Sequence, residues 1–315
     1  MTQTKMIATR ESYGRTLVEL GEENDKVVVL DADLAESTKT CMFQARFPER
    51  HFDCGIAEAN MVSIAAGMAA AGMIPFVSSF AMFATGRAYE QIRNSVGYPH
   101  LNVKICASHA GISVGEDGAT HQCVEDIALM RGIPGMVVVN PADDTEACQA
   151  IRAIAAYKGP AYLRLGRLAV PVVNDPESYH FELGRAVTLR EGTDATIIAT
   201  GLMVARALQA AEMLEQEGLN VRVVNMHTIK PLDAEAVVSA AKETGHIVTA
   251  EEHSVIGGLY SAVSEALVAA GVACPVLPVA VMDSFGQSGP ANELLEVYGL
   301  TAENIAENVR KTLKR

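Results

Sequence analysis

The sequence predicts an α/β protein with two domains, each formed by a parallel β-sheet that is covered by helices. Two observations predict this fold class. Short apolar segments alternate along the chain with longer segments of helical periodicity, a pattern typical of parallel strands joined by crossover helices. The chain also has 315 residues, enough for two domains of about 150 residues each.

The first domain is predicted over residues 1–168. Its apolar segments predict strands at residues 26–31, 51–54, 74–78, 103–108, 135–141 and 161–165. Helical spacing predicts helices at residues 9–20, 81–96, 124–130 and 143–157. A further helix, rich in alanine and glycine, is predicted to begin near Glu58.

Residues 169–185 are predicted to link the two domains, because proline, asparagine and aspartate interrupt the periodic pattern there. A second, smaller domain is predicted over residues 186–315. Its strands are expected at residues 195–200, 221–225, 246–250 and 276–281. Its helices are expected at residues 203–217, 233–242, 258–270 and 303–311.

Composition and charge exclude several classes of function. The formal net charge is −13, whereas a protein that binds nucleic acid needs clustered lysine and arginine to neutralise phosphates. No basic amphipathic segment is suited to a membrane surface, no apolar run approaches the roughly 20 residues that span a bilayer, and the N-terminus lacks a signal-peptide core. The six cysteines show no Cys-x-x-Cys spacing. We therefore expect a soluble cytoplasmic protein that binds neither nucleic acid nor membrane.

The stretch at residues 52–61 carries the first candidate functional residue. A short strand ends there in a glycine turn, and Glu58 begins the alanine-rich helix that follows. If the strand is parallel to its neighbours, Glu58 lies at the carboxyl edge of the sheet, where open α/β sheets bind ligands. The alternative is that Glu58 only complements the helix dipole from the first turn.

A glycine-rich loop at residues 108–122 carries the next candidates. It follows a predicted strand and contains His109, His121, Glu116 and Asp117. Two histidines eleven residues apart, without ordered cysteines, are weak evidence for a metal site, so no metal ligands are predicted in this chain. Imidazole and carboxylate groups suit a polyhydroxylated substrate, whose hydroxyls they can distinguish through hydrogen bonds. The alternative is an ordinary surface loop.

Two further sets of side chains have both a functional and a structural interpretation. Phe80 and Phe83 lie one helical turn apart after a strand, as either core residues or a platform for a cofactor. Arg10, Arg164 and Arg167 occur near the boundaries of elements, as either anion-binding groups or solvated surface residues.

Together these stretches resemble the transketolase family, over its pyrimidine-binding and C-terminal domains. The resemblance extends over essentially all 315 residues. Several motifs in the same order carry it: IATR at 7–10, DADLAES at 31–37, GIAEANM at 55–61, SSFAMF at 78–83, residues 108–122, LRLGR at 163–167, TIKPLD at 228–233 and GQSGP at 286–290.

The resemblance implies roles around thiamine diphosphate. Glu58 matches the catalytic glutamate that contacts N1′ of the aminopyrimidine, where a shared proton favours the imino tautomer. Ile56 matches the bulky residue that supports the bent cofactor. Phe80 and Phe83 match aromatic residues that pack on the pyrimidine ring, and Asp33 matches a residue near the cofactor and the subunit interface.

The resemblance also implies a substrate site. His121 matches a catalytic group near the donor's C1 hydroxyl and carbonyl, and Asp117 matches a carboxylate that reads hydroxyls. The residues that match groups binding the substrate phosphate are Arg10, Ser37, His109 and Arg167.

The sequence departs from the family at two places. Gly86 occupies the position of the family's next aromatic after Phe83, and one extra residue precedes Arg87. The domain that binds the diphosphate and Mg²⁺ is also missing, since Gly115–Gly118 is not the Gly-Asp-Gly motif that supplies oxygen ligands. The resemblance therefore implies half of an active site.

The sequence thus predicts the C-terminal subunit of a split transketolase of the pentose phosphate pathway type. A separate N-terminal subunit would bind thiamine diphosphate and Mg²⁺, and two copies of each would form an α2β2 heterotetramer in which this chain also contacts a second copy of itself. The complex would transfer a two-carbon ketol unit between sugar phosphates.

Three alternatives remain for this sequence. A deoxyxylulose-phosphate synthase typically has Asp-Arg-Ala-Gly in place of residues 108–111 and is one long chain. A 2-oxo-acid dehydrogenase β subunit lacks the loop at residues 115–122. The third alternative is a non-catalytic regulatory subunit, against which the joint presence of Glu58, Asp117 and His121 argues.

Overall fold

The computed structural model describes residues 5–314. The first domain has strands β1 (Met6–Ala8), β2 (Val27–Asp31), β3 (His51–Asp53), β4 (Ile74–Phe80), β5 (Lys104–Ser108), β6 (Val137–Val139), β7 (Ala161–Arg164) and β8 (Ala169–Pro171). Its helices are α1 (Thr9–Glu23), α2 (Ala35–Thr38), α3 (Cys41–Arg46), α4 (Glu58–Ala70), α5 (Tyr89–Gln91), α6 (Asp126–Arg131) and α7 (Asp144–Ala156).

The second domain repeats the alternation of strands and helices. Its strands are β9 (Val187–Arg190), β10 (Ala195–Ala199), β11 (Val221–Asn225), β12 (Thr228–Lys230), β13 (Ile247–Ser254) and β14 (Val276–Val281). Its helices are α8 (Met203–Glu215), α9 (Ala234–Thr244), α10 (Leu259–Ala269), α11 (Ala291–Val297) and α12 (Ala302–Thr312). The predicted fold class, two α/β domains with parallel sheets, is confirmed.

Within residues 5–314, seven strands form the larger sheet in the order β12-β6-β7-β5-β4-β2-β3. All are parallel except β12. Strand β2 is buried along its whole length and reads Val-Val-Val-Leu-Asp, because helices cover both faces of the sheet. The carboxyl ends of the six parallel strands consequently meet at one edge, and the candidate residues other than Arg10 lie at or after those ends.

Five strands of the described chain form the second sheet, in the order β14-β13-β10-β11-β9. Strands β10, β11, β13 and β14 are parallel, and β9 is antiparallel at one side. The carboxyl end of β14 leads into the loop at residues 283–290, which lies against the glycine-rich loop of the first domain.

Two short strands join regions that sequence reasoning separates. Strand β12 belongs to the second half of the chain but pairs antiparallel with β6 of the first domain. Strand β8 lies inside the predicted linker and pairs with β1. Strands of three residues have no detectable periodicity, so only their pairing reveals them. The linker boundaries at 169 and 185 remain a prediction.

The segment at residues 81–96, predicted as one continuous helix, is irregular. Two π-helical turns, Phe83–Arg87 and Ile92–Gly97, lie on either side of α5. A π turn accommodates one residue more than an α turn, and such turns are frequent at functional sites. The first π turn ends at Arg87, whose side chain contacts Glu58.

Among the helices within residues 5–314, none combines the length and the apolar character needed to cross a bilayer.

Candidate active site

The first site element is Glu58, which the helix start of α4 places at the carboxyl edge of the sheet. Its side chain is only 1% exposed. The Arg87 guanidinium donates from Nη1 to both carboxylate oxygens at 2.8 Å. Arg87 itself is half exposed and lies over the Phe83 ring, 4.9 Å from its centroid. Arg87 thus closes the outer side of a buried carboxylate.

Arg87 connects this carboxylate to an aromatic pair, which the two histidines contact. Phe80 ends β4 and stacks on Phe83 with a centroid separation of 5.9 Å. The His109 ring stacks on Phe80 at 3.8 Å. The His121 ring meets Phe83 edge-on at 5.3 Å. Four residues singled out in two separate stretches of sequence therefore form one continuous cluster.

An open groove of about 670 Å³ adjoins this cluster. Residues of both domains line it, among them Phe83, Arg87 and Gln122 from the first domain and Ser254 and Phe285 from the second. Its apolar character and its position at the sheet edge are those of a ligand site.

His109 is held in an unusual conformation. Its backbone φ is +57°, in the left-handed region that non-glycine residues rarely adopt. Nε2 faces Arg10 Nη1 at 3.3 Å and Nδ1 faces Ser108 Oγ at 2.8 Å. Because a guanidinium can only donate, Nε2 accepts and the Nδ1–H donates to Ser108. Strained residues of this kind cluster at functional sites.

The same surroundings keep His109 neutral. Burial, followed by the charges of Arg10 and Arg167, lowers its pKa to about 3. The ring therefore acts at neutral pH as a hydrogen-bonding group and not as a cation.

The four predicted phosphate-binding residues lie in one region. Arg10 Nη1 donates to the Ser37 carbonyl oxygen at 2.9 Å. Burial lowers the pKa of Arg10, and the neighbouring positive charge of Arg167 lowers it further. Arg167 Nη1 donates to the Val114 carbonyl oxygen at 2.6 Å and pairs with exposed Glu116 at 3.0 Å. Two arginines that repel each other beside a neutral histidine favour the binding of an anion.

The remaining candidates lie on exposed loops. The Ile56 side chain is 76% exposed. Asp33 is exposed with φ +60°, and its N–H donates to Asp53 Oδ1 at 3.1 Å. Asp117 is exposed on the glycine-rich loop. Their surfaces are open to a ligand or to another chain.

Arg164 has neither of the roles considered for it. It is buried at the end of β7, and its Nε donates to Asp126 Oδ2 at 2.8 Å. Its Nη2 donates to the Glu252 carbonyl oxygen at 2.9 Å. Arg164 thus joins the two domains, whereas the sequence suggested an anion-binding or a solvated arginine.

Comparison with known proteins identifies the family. Residues 5–172 match the transketolase pyrimidine-binding domain and residues 184–305 match the transketolase C-terminal domain. The chain belongs to the transketolase family. This confirms the resemblance inferred from the sequence.

Several similar proteins are described as a section or a subunit of a transketolase. The chain is 50% identical to a putative transketolase C-terminal section of Methanocaldococcus jannaschii, covering 97% of this chain and 96% of that protein. It is 46% identical to the 6-deoxy-6-sulfo-D-fructose transketolase subunit SqwH of a Clostridium species, covering 97% and 94%. A solved structure described as a split gene transketolase in an inactive β4 tetramer superimposes with a TM-score of 0.91, at 55% identity, covering 98% of this chain and 99% of that one.

Transketolases generally use thiamine diphosphate with a divalent metal, and the residues present fit one part of this cofactor. A buried carboxylate beside two stacked phenyl rings suits a protonated, flat heterocycle such as the aminopyrimidine. Within residues 5–314, no three His, Cys, Asp or Glu side chains converge into a set that could hold a metal. The observed fit concerns the pyrimidine ring.

Sequence reasoning missed three residues of the site. Arg87 ends the first π turn and bonds Glu58, 29 residues away in sequence, which no local pattern indicates. Ser108, which bonds His109, was included in a motif without a role. Gln122 is buried beneath the loop, a location that no local pattern indicates.

Proposed function

We propose that this chain is the C-terminal subunit of a two-chain transketolase that depends on thiamine diphosphate. With a separate N-terminal subunit it would transfer a two-carbon ketol unit from a ketose phosphate to an aldose phosphate. The observation that carries this proposal is the cluster of buried Glu58, the Phe80–Phe83 pair, His109 and His121 at one edge of the sheet.

When bound, thiamine diphosphate supplies the nucleophilic carbon and accepts the charge released as the donor's carbon–carbon bond breaks. Glu58 would share a proton with N1′ of the aminopyrimidine through a carboxylate oxygen. Arg87 now donates to both of these oxygens and would have to give up one of them. The stacked phenyl rings would exclude water from this contact, which strengthens it.

The histidines and arginines would bind and orient the sugars. His121 would donate to the oxygen of the donor carbonyl as negative charge develops there. Asp117 would accept hydrogen bonds from sugar hydroxyls. Arg10, Ser37, His109 and Arg167 would hold the terminal anionic group, with Arg10 and Arg167 supplying the positive charge.

The nature of this anion has a second candidate. The relative SqwH is named for a sugar that carries a sulfonate at C6, and it is 46% identical to this chain. A sulfonate also offers three acceptor oxygens to arginine. Sugars with a phosphate and sugars with a sulfonate therefore form the two arms of a substrate test.

The partner subunit would complete the site. The names of the similar proteins, a C-terminal section and a subunit, support a division of the enzyme between two chains. We expect Mg²⁺ and the diphosphate to bind to the partner, and an α2β2 complex in which this chain also contacts its own copy.

The test is reconstitution. This chain would be assayed alone, and then with a separately produced N-terminal transketolase subunit from the same organism, against phosphorylated and sulfonated ketose donors. We expect ketol transfer only with the partner, and calorimetry should detect weak cofactor binding to this chain alone. Tight Mg²⁺-dependent binding of thiamine diphosphate to the isolated chain would contradict the division of the site. Activity with pyruvate as donor would favour the deoxyxylulose-phosphate synthase alternative.

A further inference from the structure

The side chain of Gln122 borders the groove and makes a hydrogen bond to the second domain. It is 4% exposed. Its Nε2 donates to the Gln287 carbonyl oxygen at 2.9 Å, across the domain boundary. Nε2 also lies 3.2 Å from the carbonyl oxygens of Ile112 and Gly115 in its own loop. One amide group therefore joins both ends of the glycine-rich loop to the loop at residues 283–290.

The two loops fit together closely. A Cβ atom on Gly286 would overlap Gln122 Oε1, and a Cβ on Gly118 would clash with Ser288 Oγ. Gly286 does not have a positive φ, so the need for glycine at this position comes from the Gln122 side chain and not from the backbone conformation. Gln122 Oε1 is buried without a hydrogen-bond partner among residues 5–314, so this packing is retained despite an unpaired polar atom.

Gln122 immediately follows His121, and the two side chains serve opposite sides of the loop. The backbone N–H groups of both residues donate to the Gly118 carbonyl oxygen at 3.0 Å, which forms a tight turn. His121 leaves this turn toward Phe83, and Gln122 leaves it toward Gln287. The two side chains therefore extend from one turn to different partners, Phe83 in the first domain and Gln287 in the second.

A second contact fixes the start of the loop. The Ser113 N–H donates to Glu252 Oε1 of the second domain at 2.6 Å. Gly111 must lack a side chain there, since a Cβ would overlap the Glu252 carboxylate. The second domain therefore holds the loop at both ends.

We propose that Gln122 is a positioning residue for the reaction, through which the loop at residues 283–290 holds His121 in register with Phe83. The second domain then contributes to catalysis without touching the reacting atoms. The kinetic part of this proposal depends on the proposed function, whereas the ordering of the loop does not.

The test uses four variants of the 315-residue chain and one control variant. Gln122→Met keeps the length of the side chain and removes the donor. Gly286→Ala introduces the overlap with Gln122 Oε1. The double variant Gln122→Ala/Gly286→Ala lacks that overlap, and Gln122→Ala alone is its reference. Gln149→Met is the matched control. The Gln149 side chain on α7 also bonds backbone atoms, but these belong to Tyr179 and Phe181, outside the glycine-rich loop.

Hydrogen exchange on the full-length chain reports the loop directly. We expect Gln122→Met and Gly286→Ala to speed amide exchange in residues 113–121 by at least about tenfold, as loss of a local anchor predicts. Gln149→Met should leave these amides unchanged. Gly286→Ala should add little further exchange in the Gln122→Ala background, because its clash partner is gone.

In the reconstituted complex, Gln122→Met should lower kcat by about tenfold with KM within about twofold, since a misplaced group affects the transition state more than ground-state binding. Gln149→Met should lower only the melting temperature. Unchanged exchange in residues 113–121, or an equal effect of Gly286→Ala with and without the Gln122 side chain, would overturn the proposal. So would a loss confined to KM. Absence of ketol transfer by the wild-type complex would instead refute the proposed function and leave the exchange result standing.

Discussion

The two domains have the same architecture, but their sheet edges carry different residues. The first domain presents a buried carboxylate, stacked aromatic rings, histidines and arginines after the ends of its strands. The corresponding edge of the second domain presents a loop that packs beneath the first domain, together with Glu252. One parallel sheet displays chemical groups and the other supports them. Topology provides an edge, and the side chains that follow each strand decide how the edge is used.

The largest effect should come from Glu58→Gln, at the centre of the first edge. Loss of a group that shares a proton typically costs about 10²- to 10⁴-fold in rate, so kcat of the reconstituted complex should fall by this factor. Because Arg87 can still donate to the amide oxygen, the fold should survive, and circular dichroism checks this. The control is Glu36→Gln, at an exposed glutamate. Activity within about tenfold of wild type, or ~1.4 kcal/mol, would remove the acid–base role.

Arg167→Ala should have a smaller and more selective effect. Charge-assisted hydrogen bonds contribute roughly 1.5–3 kcal/mol, so binding of a phosphorylated donor should weaken by about ten- to a hundredfold. An unphosphorylated two-carbon donor should be little affected. Steady-state kinetics with both donors measures the difference. The control is Arg185→Ala, because Arg185 is also exposed and paired, with Glu235.

If Arg167 only ties the domains together, the outcome differs. Arg167→Ala would then lower the melting temperature and reduce activity equally on both donors, which would exclude a role in phosphate binding.

The burial of neutral His109 should make the free energy of unfolding depend on pH. Its pKa is about 3 in the folded chain, against about 6.5 when unfolded. Between these values the unfolded state binds more protons, so the contribution of His109 to stability falls as pH falls. From pH 7 to pH 5, wild type should lose roughly 2 kcal/mol relative to His109→Gln. Urea unfolding of both proteins at the two pH values measures this, and a constant difference would contradict it.

The smallest effect is expected at the junction between the domains. The Tyr179 hydroxyl donates to Glu146 Oε1, which also accepts from Asn225 of the second domain at 2.7 Å. Tyr179→Phe should reduce the free energy of unfolding by about 1 kcal/mol and leave kcat unchanged. Tyr98→Phe, at a side chain that is 90% exposed, is the control. A fall in kcat with Tyr179→Phe would show that the contacts between the domains affect the candidate active site.

Most elements of the fold could be predicted from the sequence, because each depends on local periodicity. The buried strand β2 and the amphipathic helix α7 are examples, and both lie within one or two residues of their predicted bounds. Strand β12 could not be predicted, since three residues become a strand only by pairing with β6. The continuous helix predicted at 81–96 was wrong for a related reason, because apolar spacing does not distinguish an α turn from a π turn.

The candidate site divides in the same way. Local patterns in the sequence predict that Glu58, Phe80, His109 and Arg167 follow strand ends, and parallel strands bring such ends to one edge. Motifs in order then indicated the transketolase family. The assigned roles remain predictions.

The contacts between these groups are visible only in the folded structure. It paired Glu58 with Arg87, buried His109 between a phenyl ring and an arginine, and seated Gln122 against Gly286. The physical reason is range. Periodicity and turn chemistry act over a few neighbouring residues. These contacts join positions at least 29 residues apart, and Arg10 and His109 are 99 residues apart. The burial that shifts the His109 pKa arises only when the separate segments are packed together.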